Sequence, residues 1–489
     1  MANPIDKTPT DFKYIKGVKC LQCDDYISFK DLKERFGTIF VVGCEYMDGG
    51  EYGPVFDMDL LRKALDPKVT GKDVAKERVY NSPGYFAIPE LLPLTYDGDK
   101  PRIHVNNLPF SPLDKSSYLS KVYDAELYFL NEKGATSSFK DRPVTMAVNI
   151  LKESGYNTIV NASTGNLVMS CLKIGPDNGL NVIALLPDKL SKGKINKVEE
   201  LVINAKKDYP DLDVKYYLYP FDYSYINDTI ANKIIDRMDK GKEFKEVASP
   251  NRGPRLYYGM GSWTAMIQLA LQLKYQYNIK EGKPINIYVS GGSGKLLSSM
   301  AEASKKMQEL NILNNPIRMW IVQPELNMPL VGGFKSQVEP RLLEGRCYDD
   351  FKYDLTPVEG KNPQGTICES VAIKRPGSFL HTMKSLSHPN IGKFKNYRGG
   401  AISISDSVTI DSMVELALNE GRTPQFVGGL AFSGFKNAIK NNPSLKDEIH
   451  VVYLTGEGKD KIGPQIDELI KENREGKAEE LKILRKFYI

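Results

Sequence analysis

Several features that would assign a protein to a special class are scarce or missing in these 489 residues. No apolar run is long enough to span a bilayer, so no membrane segment is expected. The start, Met1-Ala2-Asn3-Pro4-Ile5-Asp6-Lys7, has no apolar targeting stretch, and a cytoplasmic protein is expected. Charge of one sign is not in large excess: 66 Lys+Arg stand against 61 Asp+Glu, a balance of +5. The basic residues are scattered, which argues against nucleic-acid binding. Cysteines number six, too few in a chain this long for a disulfide framework. Cys20 and Cys23 have Cys-x-x-Cys spacing with Cys44 downstream, but a fourth nearby cysteine or histidine is lacking. Structural zinc takes four ligands, so no metal site is expected. There is no repeat of solenoid period and no low-complexity tract.

What is present is ordinary for a globular protein: 41% hydrophobic and 26% charged residues. The length exceeds what one simple core supports, so more than one domain is expected. Residues 1–95 read as a mixed N-terminal extension carrying the cysteine pair. A loop is expected at Met47 to Tyr52 and a short helix over Asp59 to Leu65. From about residue 96 short apolar strands alternate with helices. Strands are expected over Glu126–Leu130, Asn157–Asn161, Asn181–Leu186, Val214–Tyr219, Ile285–Val289, Ile317–Val322 and Ile449–Leu454. Helices are expected over 143–151, 167–174, 194–206, 223–238, 260–275, 296–310, 410–419 and 431–440. Residues 324–400 carry many Pro and Gly and match no periodic pattern, and the charged tail after 461 reads as a solvated helix. This alternation is the mark of an α/β fold whose parallel sheet is covered on both faces. We divide it into a large domain of residues 96–150 and 250–489 and a small domain of residues 151–249.

Ligands in open parallel α/β sheets sit at the carboxyl ends of strands, and four loops fall there. In Gly134-Ala135-Thr136-Ser137-Ser138-Phe139-Lys140-Asp141-Arg142, Lys140 precedes a helix whose first turn holds Pro143. A lysine among apolar neighbours there can lose its proton and attack a carbonyl. In Ser290-Gly291-Gly292-Ser293-Gly294-Lys295, glycines let backbone N–H groups converge at a helix start, which suits a phosphate. Neither the P-loop pattern nor G-x-G-x-x-G fits this stretch. In Ser163-Thr164-Gly165-Asn166, N–H groups can hold a carboxylate and the amide can meet an aromatic oxygen. Thr455, at the end of the last strand, offers a hydroxyl to a ring nitrogen. Each has a plainer use as well: a solvated surface lysine, a tight strand-to-helix turn, an N-cap, a turn cap. A lysine amine, a phosphate cradle, an amide and a hydroxyl in one crevice match the needs of pyridoxal 5'-phosphate.

At these residues the chain resembles the fold type II pyridoxal-phosphate enzymes and, within them, the threonine synthases. Ser138-Phe139-Lys140-Asp141-Arg142 is similar to that family's motif around the cofactor lysine. Ala162-Ser163-Thr164-Gly165-Asn166 resembles its second loop, Ser290 to Lys295 its phosphate loop, and Leu454-Thr455-Gly456-Glu457-Gly458-Lys459-Asp460 its closing motif, with Glu457 in place of the usual His. The resemblance implies two open, mostly parallel sheets, each covered by helices, with the cofactor in the crevice between domains. It implies Lys140 as the catalytic and cofactor-bearing lysine. Asn166, Gly291, Gly292, Ser293, Gly294, Lys295 and Thr455 would bind the cofactor, and Ser163, Thr164 and Arg255 a small amino-acid substrate. The activity implied is that of a carbon–oxygen lyase converting O-phosphohomoserine and water to threonine and phosphate, in threonine biosynthesis. Two other readings stand beside it: a cysteate synthase-like replacement on O-phosphoserine, and a non-catalytic cofactor or amino-acid binder. The family is often dimeric, so a homodimer is the assembly to look for.

Overall fold

A computed structural model describes residues 9–21, 23–36, 51–81, 84–106, 110–163, 165–190, 192–221, 225–249, 255–361 and 365–458. Cys44, Met47 to Gly50, Thr164 and the tail after 461 lie outside the described residues, as do the side chains of 255–258.

The N-terminal segment forms a small antiparallel sheet of β1 (Ile15–Cys20), β2 (Tyr26–Ser28) and β3 (Tyr52–Phe56), in the order β2-β1-β3. This sheet has no counterpart in the sequence reading, because its strands are short and separated by turns. The expected helix near residue 59 is present as Met58–Leu65, capped by the Asp57 carboxylate, which accepts from the Leu60 N–H at 3.1 Å. A two-residue hairpin, β4 (Tyr96–Asp97) with β5 (Lys100–Pro101), leads into the main body.

Two sheets build that body. The larger comprises β6 (Leu113–Lys115), β7 (Glu126–Asn131), β12 (Ile285–Ser290), β13 (Ile317–Pro324), β14 (Gly400–Ile404) and β15 (Ile449–Leu454). Its order is β14-β13-β12-β15-β7-β6, parallel throughout except where β6 meets β7. The smaller runs β10-β9-β8-β11, all parallel, from β8 (Thr158–Ala162), β9 (Asn181–Pro187), β10 (Val214–Tyr219) and β11 (Val247–Ala248). Every residue of β12 and β15 is buried, as the near-continuous apolar runs require for strands covered on both faces. One face of the large sheet packs beneath the helices Asp141–Glu153, Arg255–Leu271 and Lys295–Glu309, through Val144, Met260, Ile287 and Met300. The other face packs against the helix Phe426–Asn441 through Tyr288, Val322, Phe432, Phe435 and Val452.

Differences from the sequence reading have local causes. Strand β14 escaped notice because it opens on glycines. A Cβ at Gly399 would lie 1.6 Å from the Met319 carbonyl oxygen, so the close approach of β14 to β13 needs glycine there. The helix expected over 167–174 extends over Asn166–Asp177 and tolerates Pro176 in its last turn. Residues 324–400, unassigned above, contain the helix Phe379–Ser387 and several shorter turns of helix.

Candidate active site

In the large sheet β12, β15 and β7 are neighbours, so the loops after them emerge side by side at one edge. The loop after β7 carries Lys140, the end of β15 carries Thr455, and the loop after β12 holds Gly291 to Gly294.

The Lys140 loop is shaped by Asp141, the first residue of the helix Asp141–Glu153. Its buried carboxylate accepts from the Thr136 N–H (2.7 Å), the Thr136 hydroxyl (2.7 Å) and the Ser170 hydroxyl (2.7 Å). Burial pushes this carboxyl up from its ordinary value, and the three donors oppose that rise. A Cβ at Gly134 would fall 2.4 Å from Asp141 Oδ2, so glycine lets the chain fold over the carboxylate. Ser137 takes a φ of +52°, turning the chain toward β15. Lys140 itself is half-buried, with Nζ 4.4 Å from the centroid of the Phe139 ring.

The Thr455 strand end is bound directly to this loop. Phe139 N–H donates to the Thr455 carbonyl (2.9 Å), Glu457 N–H to the Ser137 carbonyl (3.0 Å), and Ser138 faces Gly456 across an antiparallel bridge. On its other side the same stretch pairs with Pro424 and Gln425, where Gln425 N–H donates to the Gly456 carbonyl at 3.0 Å. Thr455 is buried, and Glu457 forms an ion pair with Lys133.

Asn166 opens the helix Asn166–Asp177, preceded by Gly165 at φ +146°. Its amide Nδ2 donates to Gln425 Oε1 at 3.0 Å. Ser163 is buried, and its hydroxyl accepts from the Gly165 N–H at 3.3 Å, the turn-capping role that competes with ligand binding. Arg255 opens the helix Arg255–Leu271.

The glycine loop is tied back by Gly291 N–H to the Val322 carbonyl (2.9 Å). Ser290 donates to the Val427 carbonyl, at the start of the helix that Gln425 precedes. Gly294 has φ +85° and leads into the helix Lys295–Glu309. Among the described residues, the N–H groups of Gly292, Ser293 and Gly294 have no acceptor within the chain. Three such donors beside a helix N-terminus fit a phosphate group, as pyridoxal phosphate requires. The Lys295 ammonium is engaged elsewhere, by the Glu51 carboxylate at 2.8 Å. Glu51 also accepts from the Ser378 hydroxyl (2.6 Å) and lies 3.1 Å from His381 Nδ1. Burial would raise the Glu51 carboxyl, but Lys295 and His381 outweigh it and hold it far below the usual carboxylate range. What the loop itself offers an anion is therefore backbone rather than the Lys295 charge.

Arg142, prominent in the motif, points away from any ligand role. It is fully buried and donates through Nε to Glu132 (2.7 Å), and through its other nitrogens to Thr264 (3.0 Å) and Gln268 (2.8 Å). Cysteines 171, 347 and 368 are free thiols, and no metal-binding cluster occurs among the described residues. A cavity of about 290 Å³ opens from this region, lined by Thr136, Asn166, Gln425 and Glu457 and extending between the helices Asn166–Asp177 and Lys192–Asp208.

Sequence reasoning missed Gln425, Glu51 and Glu132. Only the Thr-Pro just before a helix hinted at Gln425. Glu51 and Glu132 matter through partners hundreds of positions away or across a turn. Asn161, in β8, is buried with neither amide atom bonded, and nothing in its strand pattern marks it.

Comparison with known proteins agrees with this geometry. Residues 108–219 match the family of pyridoxal-phosphate dependent enzymes. The threonine synthase of Methanocaldococcus jannaschii is 23% identical over 355 residues, covering 71% of this chain and 74% of that one. That of Methanosarcina acetivorans is 24% identical over 349 residues, with the same coverage, 71% and 74%. Among solved structures, a fungal L-serine ammonia-lyase from Rhizomucor miehei superposes with a TM-score of 0.52 at 17% identity, covering 74% of this chain and 98% of that one, a likeness of fold. The fold is thus that of the fold type II pyridoxal-phosphate enzymes, and the match over residues 108–219 supports pyridoxal phosphate as the cofactor. Within that class the chain is threonine synthase-like in sequence. No helix among the described residues is long and apolar enough to cross a membrane.

Proposed function

We propose that the chain is a carbon–oxygen lyase acting on a phosphorylated amino acid, converting O-phosphohomoserine and water to threonine and phosphate. The observation that carries this reading is the pairing of the Lys140 loop with the Thr455 strand end, through Phe139 N–H to the Thr455 carbonyl at 2.9 Å. The similarity to threonine synthases over 71% of the chain supports the substrate class.

In this reading Lys140 would hold the cofactor through its aldehyde carbon, and Asn166 would bond its phenolic oxygen. Gly292, Ser293 and Gly294 would hold its phosphate, and the Thr455 hydroxyl would meet its ring nitrogen without enforcing protonation there. When bound, the cofactor supplies an electron sink for negative charge on the adjacent substrate carbon. Lys140, its amine freed once the substrate amine takes its place, would move protons among the substrate carbons. The Cγ–O bond breaks and its electron pair leaves on phosphate. Cγ gains a proton; Cβ loses one and takes the hydroxyl of water, whose remaining proton goes to phosphate. Ser163, Thr164 and Arg255 bind the anionic groups of the substrate, the arginine by its fork of donors. Residues 151–249 act as the small domain and residues 96–150 with 250–489 as the large one, with the substrate between them.

The test is a turnover assay on purified holoenzyme. Phosphate and threonine should form in equal amounts from O-phosphohomoserine. Sulfite-dependent phosphate release from O-phosphoserine alone would move the assignment to a cysteate synthase-like enzyme. Bound cofactor with no turnover of any phosphorylated amino acid would make the chain a binder.

A further inference from the structure

Gln425 stands where the two sheets meet. It precedes the helix Phe426–Asn441, which covers the large sheet, yet its side-chain oxygen accepts from Nδ2 of Asn166, on a helix of the small sheet, at 3.0 Å. Its backbone N–H donates to the Gly456 carbonyl at 3.0 Å, one residue beyond Thr455. The Gln425 side chain is also confined: a Cβ added at Gly456 would lie 3.1–3.2 Å from its Cδ, Nε2 and Oε1 atoms. The carbonyl of Val427, two residues on, accepts from Ser290 at the root of the glycine loop. One short segment therefore touches three of the four loops and holds the amide expected to meet the cofactor's phenolic oxygen.

An asparagine amide has two faces, a donor and an acceptor, and nothing intrinsic decides which one a ligand sees. The Gln425 oxygen decides it here. It takes one Nδ2 hydrogen, so the nitrogen edge of Asn166 is kept at the crevice and its second N–H remains for a ligand oxygen. A hydrogen bond donated by that nitrogen also polarises the amide.

We propose that Gln425 is a positioning residue for the cofactor, fixing Asn166 as a donor toward the phenolic oxygen and thereby favouring the ionised, yellow form of the bound group. This rests on the cofactor roles read above for Lys140 and Asn166. With Gln425 gone, Asn166 is free to turn its carbonyl inward, where it accepts from the neutral phenol and favours the near-ultraviolet form.

The experiment is the absorbance spectrum of holoprotein, without substrate, for wild type, Gln425→Met, Gln425→Ala and Gln425→Glu, at matched cofactor content. Methionine keeps the volume but not the acceptor; glutamate keeps the acceptor. The ratio of the yellow to the near-ultraviolet band should fall about fivefold in Gln425→Met, the loss expected from one polarised hydrogen bond. It should return to within about twofold of wild type in Gln425→Glu, which still accepts from Asn166. Should the methionine variant not fold, the alanine variant gives the same comparison. An unchanged ratio in the acceptor-less variants overturns the proposal, as does a glutamate variant as depleted as the methionine one, since the effect would then be steric. A wild-type protein with neither band overturns the cofactor reading itself, and the proposal with it.

Discussion

Arg142 offers the sharpest quantitative prediction, because its motif position suggests chemistry and its surroundings dictate stability. Neither it nor Glu132 is exposed to any extent, and their ion pair is 2.7 Å long. Glu132 also accepts from Ser111 (2.9 Å), from Tyr85 (3.4 Å) and from Tyr453 on β15. Arg142 reaches the helix Arg255–Leu271 through Thr264 and Gln268. The pair thus joins β7, β15 and two helices at one point. Arg142→Met strands a buried carboxylate without its cation, which costs about 3–5 kcal/mol. Arg142→Lys keeps the charge but not the fork, and should cost about 1–3 kcal/mol through the lost bonds to Thr264 and Gln268. In a Glu132→Gln background the hydroxyl acceptor survives without the charge, so Arg142→Met should cost less there, by about 1–3 kcal/mol of coupling. Urea unfolding followed by tryptophan fluorescence reads this well, since buried Trp263 adjoins Thr264. The yellow colour should persist in Arg142→Met at low urea, because the Arg142 side chain bonds to Glu132, Thr264 and Gln268, while its tie to the Lys140 loop, N–H to the Phe139 carbonyl, is backbone and survives the substitution. A cost below about 1 kcal/mol, or equal costs in both backgrounds, refutes the reasoning.

Lys140→Ala should give a colourless protein in which borohydride fixes no cofactor to the chain, read by absorbance after gel filtration. Gly294→Ala forces a side chain into a φ of +85° and sets its Cβ 1.9 Å from the Thr382 hydroxyl, so cofactor affinity measured by titration should fall at least about tenfold. Asp141→Ala removes the acceptor of two Thr136 bonds and one Ser170 bond, so hydrogen exchange at the Thr136 amide should accelerate while the large sheet stays protected. Burial pushes His450 down to about 4, with its ring held by the Leu445 carbonyl at 2.8 Å and Tyr288 at 3.1 Å. Its folded value lies below the unfolded value of about 6.5, so its stabilisation is full above that pH and lost as pH falls toward 4, on the order of 3 kcal/mol in all. His450→Gln should flatten that part of a stability–pH curve; an unchanged slope would refute it.

Seven of the ten described strands of the two main sheets, the loops at their ends and the cofactor class were legible in the chain itself, while β6, β11 and β14 were not. Runs such as Ile285–Ser290 and Ile449–Leu454 are buried on both faces and so are mostly apolar, broken only by Asn286, Ser290 and His450, a pattern that survives without any partner. Glycines and a lysine at the ends of such runs are likewise local signals. The tertiary structure alone decided the rest. It made β12, β15 and β7 neighbours although about 150 residues separate β7 from β12 and β12 from β15. It gave Arg142 to Glu132, Lys295 to Glu51 and Asn166 to Gln425, partners separated by 10, 244 and 259 positions. Local periodicity records which face of an element is buried, but a charged or amide side chain has its role set by whichever group the fold brings within about 3 Å.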